Sequence, residues 1–221
     1  VHHVLAFAGG FSDLLALKGG LGGYFAAFVP GMEQVNYPEG TGKLLKKGSF
    51  LLFQMHYTTN GRETRDRTEV GLYFARQQPS RELKTIAAYD TKFVIPPNAM
   101  DHEVRAESAP FPKDSYIYEV GPHMHYRGSR MKFEVVLPGG AVEPLASVPA
   151  YQFDWQTVYR LSQPRLLPKG SKVRVTGGFD NSAYNPRLMP DGNFSFNQTV
   201  KFGQQSWEEM LIGYLNFAEA Q

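Results

Sequence analysis

Residues 116–137 read YIYEVGPHMHYRGSRMKFEVVL, and this stretch decides the fold class. It contains two candidate strands, residues 116–125 and 131–137, separated by a short polar segment with a glycine. Similar apolar runs bounded by turn residues recur along the chain, which has 22 glycines and 15 prolines. Short runs punctuated in this way are typical of β proteins. The pattern therefore predicts an all-β fold.

The other candidate strands and the domain boundary follow from the same pattern. The remaining apolar runs cover residues 1–7, 24–29, 49–57, 70–75, 84–95, 103–106, 151–160, 172–179 and 209–217. A short helical turn is predicted at residues 11–17. Residues 76–80 read RQQPS, a polar stretch whose proline interrupts strand pairing. We therefore expect one domain over residues 1–78 and a second over residues 79–221.

Composition excludes several classes of protein and of site. Of the 221 residues, 42% are hydrophobic and 14% aromatic, which is enough for a packed core. A net charge of +2 gives no reason to expect nucleic acid or an anionic membrane as a partner. No apolar run approaches the roughly 18 residues of a spanning helix. The chain has no cysteine, so disulfides, thiolate metal sites and cysteine nucleophiles are excluded.

Two histidines, His123 and His125, are the first candidates for metal ligands. In a strand, residues i and i+2 point to the same face, so both imidazoles can converge on one ion. The His-x-His pattern alone is weak evidence for a metal site. Met210, near the C-terminus, offers a thioether that could complete a set of two histidines and one methionine. Such a set favours copper, because a soft thioether stabilises Cu(I).

Three more histidines lie in strand-like segments of the first half of the chain: His2, His3 and His56. Strand alternation places His56 on the same face as the polar Gln54. His2 and His3 are adjacent, so binding one ion together requires a local irregularity such as a β-bulge. Two histidines at a chain end are also common as solvated residues. A free terminal amine together with His3 could also chelate Cu(II) as an artefact of truncation.

Taken together, these segments resemble the type II copper, ascorbate-dependent monooxygenases, the family of dopamine β-monooxygenase and peptidylglycine α-hydroxylating monooxygenase. The resemblance covers nearly the whole chain, through VHHVLAF at 1–7, LFQMHY at 52–57, VIPP at 94–97, HMH at 123–125, and EM at 209–210 followed by Tyr214. The stretches FDWQ at 153–156 and FDNS at 179–182 are closer to bacterial members. The chain begins inside the first motif, so we expect a protein truncated at its N-terminus.

The resemblance implies two jelly-roll-like β-sandwich domains, the first incomplete, and two copper ions per full-length chain. It assigns one copper to electron transfer and one to oxygen activation, with the ligand sets His2, His3 and His56, and His123, His125 and Met210, respectively. It also places Tyr214 near the substrate and makes Gln54 a possible relay. The implied activity is hydroxylation of a C–H bond of a small organic substrate, with O2 and ascorbate as reductant, in a periplasmic or secreted protein.

The substrate and the role of two residues stay open. Peptide-hydroxylating members carry an arginine two residues before the first paired histidine, where it binds the substrate carboxylate, and here that position is Gly121. A peptide ending in glycine is therefore a poor candidate. Read without the resemblance, Met210 and Tyr214 are ordinary core residues of a strand. The rival function is a copper-binding β-sandwich without turnover, for storage or sensing, or an inactive fragment.

Overall fold

The computed structural model describes residues 3–15, 22–29, 31–32, 34–57 and 61–220. Nearly all regular structure in these residues is β-strand, so the predicted all-β fold is confirmed. The chain forms two compact units, Val1–Thr85 and Ile86–Gln221. The division after residue 78 that the sequence suggests stays a prediction. The described residues contain one helix, which is about one and a half turns long, and it is not long enough to span a bilayer.

The first unit contains a small antiparallel sheet. Its elements are β1 (His3–Gly9), α1 (Phe11–Leu15), β2 (Tyr24–Phe28), β3 (Thr41–Gly42), β4 (Phe50–His56) and β5 (Arg81–Glu82). Strand β1 lies between β2 and β4, while β3 and β5 form a separate two-stranded parallel pair. The register of β1 with β4 sets His3 opposite His56 and Leu5 opposite Gln54. Because opposite residues share a face, this register brings the two histidines side by side.

The second unit is a two-sheet sandwich. Its strands are β6 (Lys84–Asp90), β7 (Val94–Ile95), β8 (His102–Glu107), β9 (Ser115–His123), β10 (Gly128–Val136), β11 (Val142–Val148), β12 (Tyr159–Leu167), β13 (Lys172–Phe179), β14 (Val200–Lys201) and β15 (Leu211–Glu219). The eight long strands form two sheets, ordered β11-β10-β13-β8 and β12-β9-β15-β6. In chain order from β6, the eight long strands change sheet at each step except between β10 and β11, which are neighbours in one sheet. This is the double Greek-key order of a jelly roll.

The core of this unit lies between the two sheets. Its centre includes fully buried side chains from both layers: Val120, Phe133, Val135, Val173, Val175, Leu211 and Leu215. Burying each such side chain stabilises the fold by about 1.5–3 kcal/mol. Gly213 faces this core, and a methyl group there would collide with Val175 and Phe133. Glycine at this position therefore lets β15 approach the opposite sheet closely enough to hold the segment before it in place.

Three predicted strands differ from the structure. Residues 84–95 are divided into β6 and β7 by a bend at residues 91–93. Residues 70–75 form no strand, and Tyr73 and Phe74 are 97% and 80% exposed. Residues 151–160 become strand only from Tyr159 onward, and the residues before it form a turn closed by a bridge between Gln152 and Trp155. An apolar run forms a strand only where a neighbouring strand satisfies its backbone hydrogen bonds. In the described part of the chain, residues 70–75 have no such ladder.

Candidate metal centre

His123 and His125 lie at the end of strand β9, on the face of the sheet that points away from the core. His123 is the last residue of β9 and is paired with Ile212 of β15. Met124, between the two histidines, is fully buried in the core cluster. The inward methionine anchors the segment, and the two imidazoles are left on the opposite side. Their ring centroids lie 5.4 Å apart, with the ring planes at 89°.

Both histidines are held through the same ring nitrogen. The Nδ1 atom of His123 lies 2.6 Å from Oε1 of Gln156, whose own amide nitrogen donates to the Phe153 carbonyl at 2.8 Å. That second bond fixes the amide orientation, so Oε1 accepts and the His123 Nδ1 carries the proton. The His125 Nδ1 lies 3.1 Å from the Glu208 carbonyl oxygen, which can only accept. With Nδ1 protonated in both rings, the lone pair of each neutral imidazole lies on Nε2, which is the tautomer that suits a metal ligand.

The ring orientation suits binding of one ion by both histidines. The lone pair of an imidazole nitrogen lies in the plane of the ring. Two planes that cross at nearly a right angle, with centroids only 5.4 Å apart, intersect close to both rings. The two rings are therefore close enough for one ion to lie within reach of both.

Met210 joins this pair through the backbone. Its amide donates to Oε2 of Glu209 at 3.2 Å, and the His125 amide donates to the same oxygen at 2.8 Å. One oxygen atom therefore joins the backbone before β15 to the backbone after β9. Met210 also precedes Ile212 by two residues, so alternation continued from β15 puts it on the face that carries His123. Met210 is buried but is not a member of the core cluster.

The Glu209 carboxylate is fully buried and accepts a third amide hydrogen bond, from Arg127 to Oε1 at 2.6 Å. Burial raises the pKa of this carboxyl to about 7, against the opposing effect of the amide donors and of the Arg127 charge. Arg127 is itself fully buried, and burial lowers its pKa from the usual value. Arg127 contacts Glu209 through its backbone amide, and the two buried charges also attract each other.

Tyr151 supports the same segment from another side. Its hydroxyl donates to the Met124 carbonyl at 2.6 Å and accepts from the Met124 amide at 3.0 Å. Burial raises the pKa of this phenol, so it stays protonated. Tyr151 therefore fixes the backbone between the two histidines. It belongs to residues 151–160, which the sequence predicted to form a strand.

Tyr214 and Gly121 lie opposite each other on β15 and β9, next to His123. The Tyr214 ring centroid is 6.4 Å from that of His123. Burial raises the pKa of Tyr214 to about 12, so its hydroxyl is protonated at neutral pH. A methyl group added at Gly121 would lie 3.5 Å from Cβ of Tyr214 and 3.6 Å from Cγ2 of Val158, which is ordinary contact.

In the first unit, the structure brings together two of the three predicted histidines. His3 and His56 are stacked, with ring centroids 4.0 Å apart and planes at 29°. Gln54 lies two residues before His56 on β4, on the same face. The predicted ligand His2 lies outside the described residues.

Several residues at the centre were not selected as site residues from the sequence: Gln156, Tyr151, Arg127 and Glu209. Each of these residues forms a hydrogen bond with a residue between 27 and 84 positions away in the sequence. Glu209 also accepts a hydrogen bond from its neighbour Met210. The available signal was local: the polar Gln156 follows an aromatic pair, and Glu209 precedes an apolar strand. In the described residues, no cluster of three or more His, Cys, Asp and Glu side chains is placed to hold a metal ion.

Comparisons with known proteins identify no family. No protein-family model matches the chain, and no curated protein matches it. Among solved structures, that of infectious bursal disease virus Gx strain aligns with 98% of this chain and 50% of its own, at 11% identity and a TM-score of 0.30. The Gt strain aligns with 98% and 52%, at 9% identity and a TM-score of 0.29. The chain spans about half the length of these viral chains, and similarity this low supports no conclusion about fold or function.

Proposed function

We propose that the protein is a copper-dependent monooxygenase that hydroxylates a C–H bond of a small organic substrate, using O2 and a reductant such as ascorbate. The observation that carries this proposal is the grouping of His123, His125 and Met210 at one end of a sheet. The 2.6 Å and 3.1 Å contacts at the two Nδ1 atoms support it, because they orient both rings and favour the tautomer whose lone pair lies on Nε2.

The donor set fits copper. Two neutral imidazoles suit both Cu(II) and Cu(I), and a thioether favours Cu(I). Zinc and the hard cations are poor matches to a methionine sulfur. Copper at His123, His125 and Met210 would supply the activation of O2, and copper at His2, His3 and His56 would supply an electron, as the family resemblance implies.

The residues around the proposed copper have separate tasks. Gln156 and the Glu208 carbonyl fix the direction of the two imidazoles, which keeps the ligand geometry constant between oxidation states. Tyr214 stays a neutral hydrogen-bond donor at neutral pH, because burial raises its pKa to about 12. Its phenol beside His123 is suited to orient a polar group of the substrate.

The substrate of the proposed enzyme differs from a peptide carboxylate. Gly121 offers no cation opposite Tyr214. The nearest arginines in sequence are committed elsewhere: Arg127 is buried among backbone carbonyls, and Arg130 pairs with Asp101 at 2.8 Å. A small molecule without a carboxylate at this position is therefore the favoured substrate class.

The test uses copper-loaded full-length protein, ascorbate and a panel of small arylalkylamines and related neutral compounds, under 18O-labelled O2. Mass spectrometry measures the transfer of one labelled oxygen atom to product. Oxygen uptake alone is insufficient, because free copper also oxidises ascorbate, so copper-loaded Met210→Ala is the matched control. Labelled product from the wild type and not from the control supports the enzyme. Copper binding without labelled product from any compound favours the storage or sensing alternative.

A further inference from the structure

A single carboxylate joins the two chain segments that carry the proposed oxygen-activating ligands. Glu209 has no exposed surface, and its two oxygens accept the amide hydrogens of His125, Arg127 and Met210 at 2.8, 2.6 and 3.2 Å. Two of these amides belong to proposed ligands on different chain segments, one just after β9 and one just before β15. Because the His125 and Met210 amides donate to the same oxygen atom, the backbones of these two residues are held close together.

Arg127 fixes the other side of this arrangement. Its guanidinium donates to Oδ1 of Asn181 at 2.7 Å, to the Trp207 carbonyl at 2.8 Å and to the Ser195 carbonyl at 3.1 Å. These acceptors lie on the long irregular segment between β13 and β15. Arg127 therefore fastens that segment to the chain just after His125, while Glu209 fastens the end of the same segment beside it.

We propose that Glu209, braced by Arg127, is a positioning residue that holds the Met210 thioether against the His123 and His125 imidazoles, so that one copper ion can bind all three. The inference rests on the proposed function. Glu209 does not itself bind copper in this scheme, because both its oxygens are occupied by amide donors. Its role is to fix the distance between the soft ligand and the imidazole pair.

The geometry gives Glu209 few substitutes. A glutamine has one acceptor oxygen and would point an NH2 group at an amide N–H, so at least one of the three bonds is lost. An aspartate keeps the carboxylate but is shorter by one methylene, so it cannot reach all three amides. Glu209→Gln therefore removes an acceptor, whereas Glu209→Asp loosens the link and leaves the charge in place.

The best matched control is Glu119 on β9. It is also a buried glutamate, and it accepts bonds from Arg160 at 2.7 Å and from Asn216 at 2.8 Å. It makes no contact with the amides of the proposed ligands. Glu119→Gln therefore removes a buried, arginine-paired carboxylate from the same sheet without changing the link to Met210.

The first measurement uses metal-free protein and amide hydrogen exchange. In the wild type, the amides of His125, Arg127 and Met210 should exchange slowly, because each is bonded to a buried acceptor. In Glu209→Asp all three should exchange faster, while amides in the β10–β13 ladder stay unchanged. Fast exchange at these three amides in the folded wild type would overturn the inference, and this result needs no variant to fold.

The second measurement compares Cu(I) and Cu(II) affinities by competition with chelators, together with the Cu(II) electron paramagnetic resonance spectrum. Loss of a partner that orients a metal ligand lowers affinity by about 10- to 100-fold. We expect a Cu(I) loss of that size in Glu209→Gln, a smaller Cu(II) loss, and values for Glu119→Gln within about twofold of the wild type. If Glu209→Gln does not fold, Glu209→Asp should show the same order at smaller size.

The outcomes separate the inference from the proposed function. If the wild type binds no copper through His123 and His125, both fail. If the wild type binds copper and the Glu209 variants match Glu119→Gln in the ratio of Cu(I) to Cu(II) affinity, only the positioning role fails. A general loss of stability would lower both affinities together, so a selective loss of Cu(I) binding is the result that supports the role.

Discussion

The two histidine pairs of this protein arise from different strand relationships, and their rings are arranged differently. His3 and His56 lie opposite each other on neighbouring antiparallel strands, and their rings stack 4.0 Å apart at 29°. His123 and His125 lie two residues apart along one chain, and their rings stand 5.4 Å apart at 89°. Direct cross-strand neighbours meet face to face. Neighbours along the end of a strand are free to turn independently.

This difference bears on metal binding. Nearly parallel planes that are stacked intersect only far from the rings, so His3 and His56 must rotate before both can direct a lone pair at one ion. The His123 and His125 planes already intersect nearby, and hydrogen bonds at both Nδ1 atoms hold them there. The second unit therefore contains a preorganised pair, whereas the first contains a pair whose rings must reorient.

The largest effect should come from Met210→Ala, which removes the ligand that distinguishes the preorganised pair from an ordinary pair of histidines. We expect turnover to be abolished. Loss of a partner that supports a metal ligand lowers affinity by about 10- to 100-fold, and loss of the proposed ligand itself should lower the Cu(I) affinity by more than that. In the proposed function, oxygen activation would begin from Cu(I), so this loss would affect the chemical step directly. The labelled-oxygen assay measures turnover, a Cu(I) competition titration measures affinity, and urea unfolding measures stability.

Met131→Ala is the control for that experiment, since Met131 is a core methionine of the same unit. It should lose about 2–5 kcal/mol of unfolding free energy and keep its copper affinity. Met210 lies outside the core cluster, so its variant should lose less stability. The reverse pattern, with Met210→Ala unstable but fully able to bind Cu(I), would show that Met210 is packing.

The next effect concerns the stacked pair. His56→Ala should reduce the copper content of the full-length protein from two ions to one, because the proposed first site loses a ligand while the second is unchanged. Elemental analysis after gel filtration measures this, with His102→Ala as the control histidine. In the wild type, copper or silver(I) should also shift the ring resonances of His3 and His56 strongly as the rings turn. Two retained ions in His56→Ala would contradict the assignment.

A smaller effect is expected from Gln156→Leu, which removes the acceptor at His123 Nδ1. The ring then loses both its fixed tautomer and its direction, and copper affinity should fall by about 10- to 100-fold. Gln163→Leu, at an exposed position on β12, is the control. Nitrogen-15 spectra of the imidazoles report the tautomer directly. An unchanged affinity, with the Nδ1 proton of His123 retained, would mean that the preorganisation does not depend on Gln156.

The smallest effect serves to separate the pH dependence of the fold from that of the histidines. Glu107 pairs with Arg174 at 2.8 Å, and this hydrogen bond lowers the pKa of the carboxyl below its usual value. The stabilisation is therefore present above the unfolded-state pKa and is lost as pH falls through the folded-state pKa. Glu107→Gln should cost no more than about 1 kcal/mol at pH 7, and nothing at a pH below both values. Urea unfolding at pH 7 and at successively lower pH measures the difference, and a cost that does not fall as the pH is lowered would contradict it.

The sequence predicts some of these features because they depend on local periodicity. The alternation of His123, Met124 and His125 requires only the period of two of a strand, and Met124 is indeed in the core. The same reasoning failed for residues 70–75, where the apolar pattern is present but no neighbouring strand completes the ladder. A period-two pattern indicates which face a strand would bury, but it carries no information about whether a partner exists.

The supporting residues could not be predicted for a different reason. Gln156 reaches His123 across 33 positions, and Glu209 reaches Arg127 across 82. These contacts depend on the register of β9 with β15 and on the turn before β12, and both are set by packing of the whole sandwich. Residue type alone indicates that a buried polar group needs a partner, but not which partner it finds.

Gly121 has a consequence for how this fold can change over evolutionary time. Its backbone is not in the left-handed region that would require glycine, and a first side-chain carbon would make only ordinary contacts with Tyr214 and Val158. The position is therefore open to mutation, and a thermal melt of Gly121→Ala should be close to that of the wild type. Since it adjoins the proposed reaction centre, a single codon change could introduce a charge there. The selectivity of the protein can then drift from one family of compounds to another while the metal ligands and the jelly roll stay as they are.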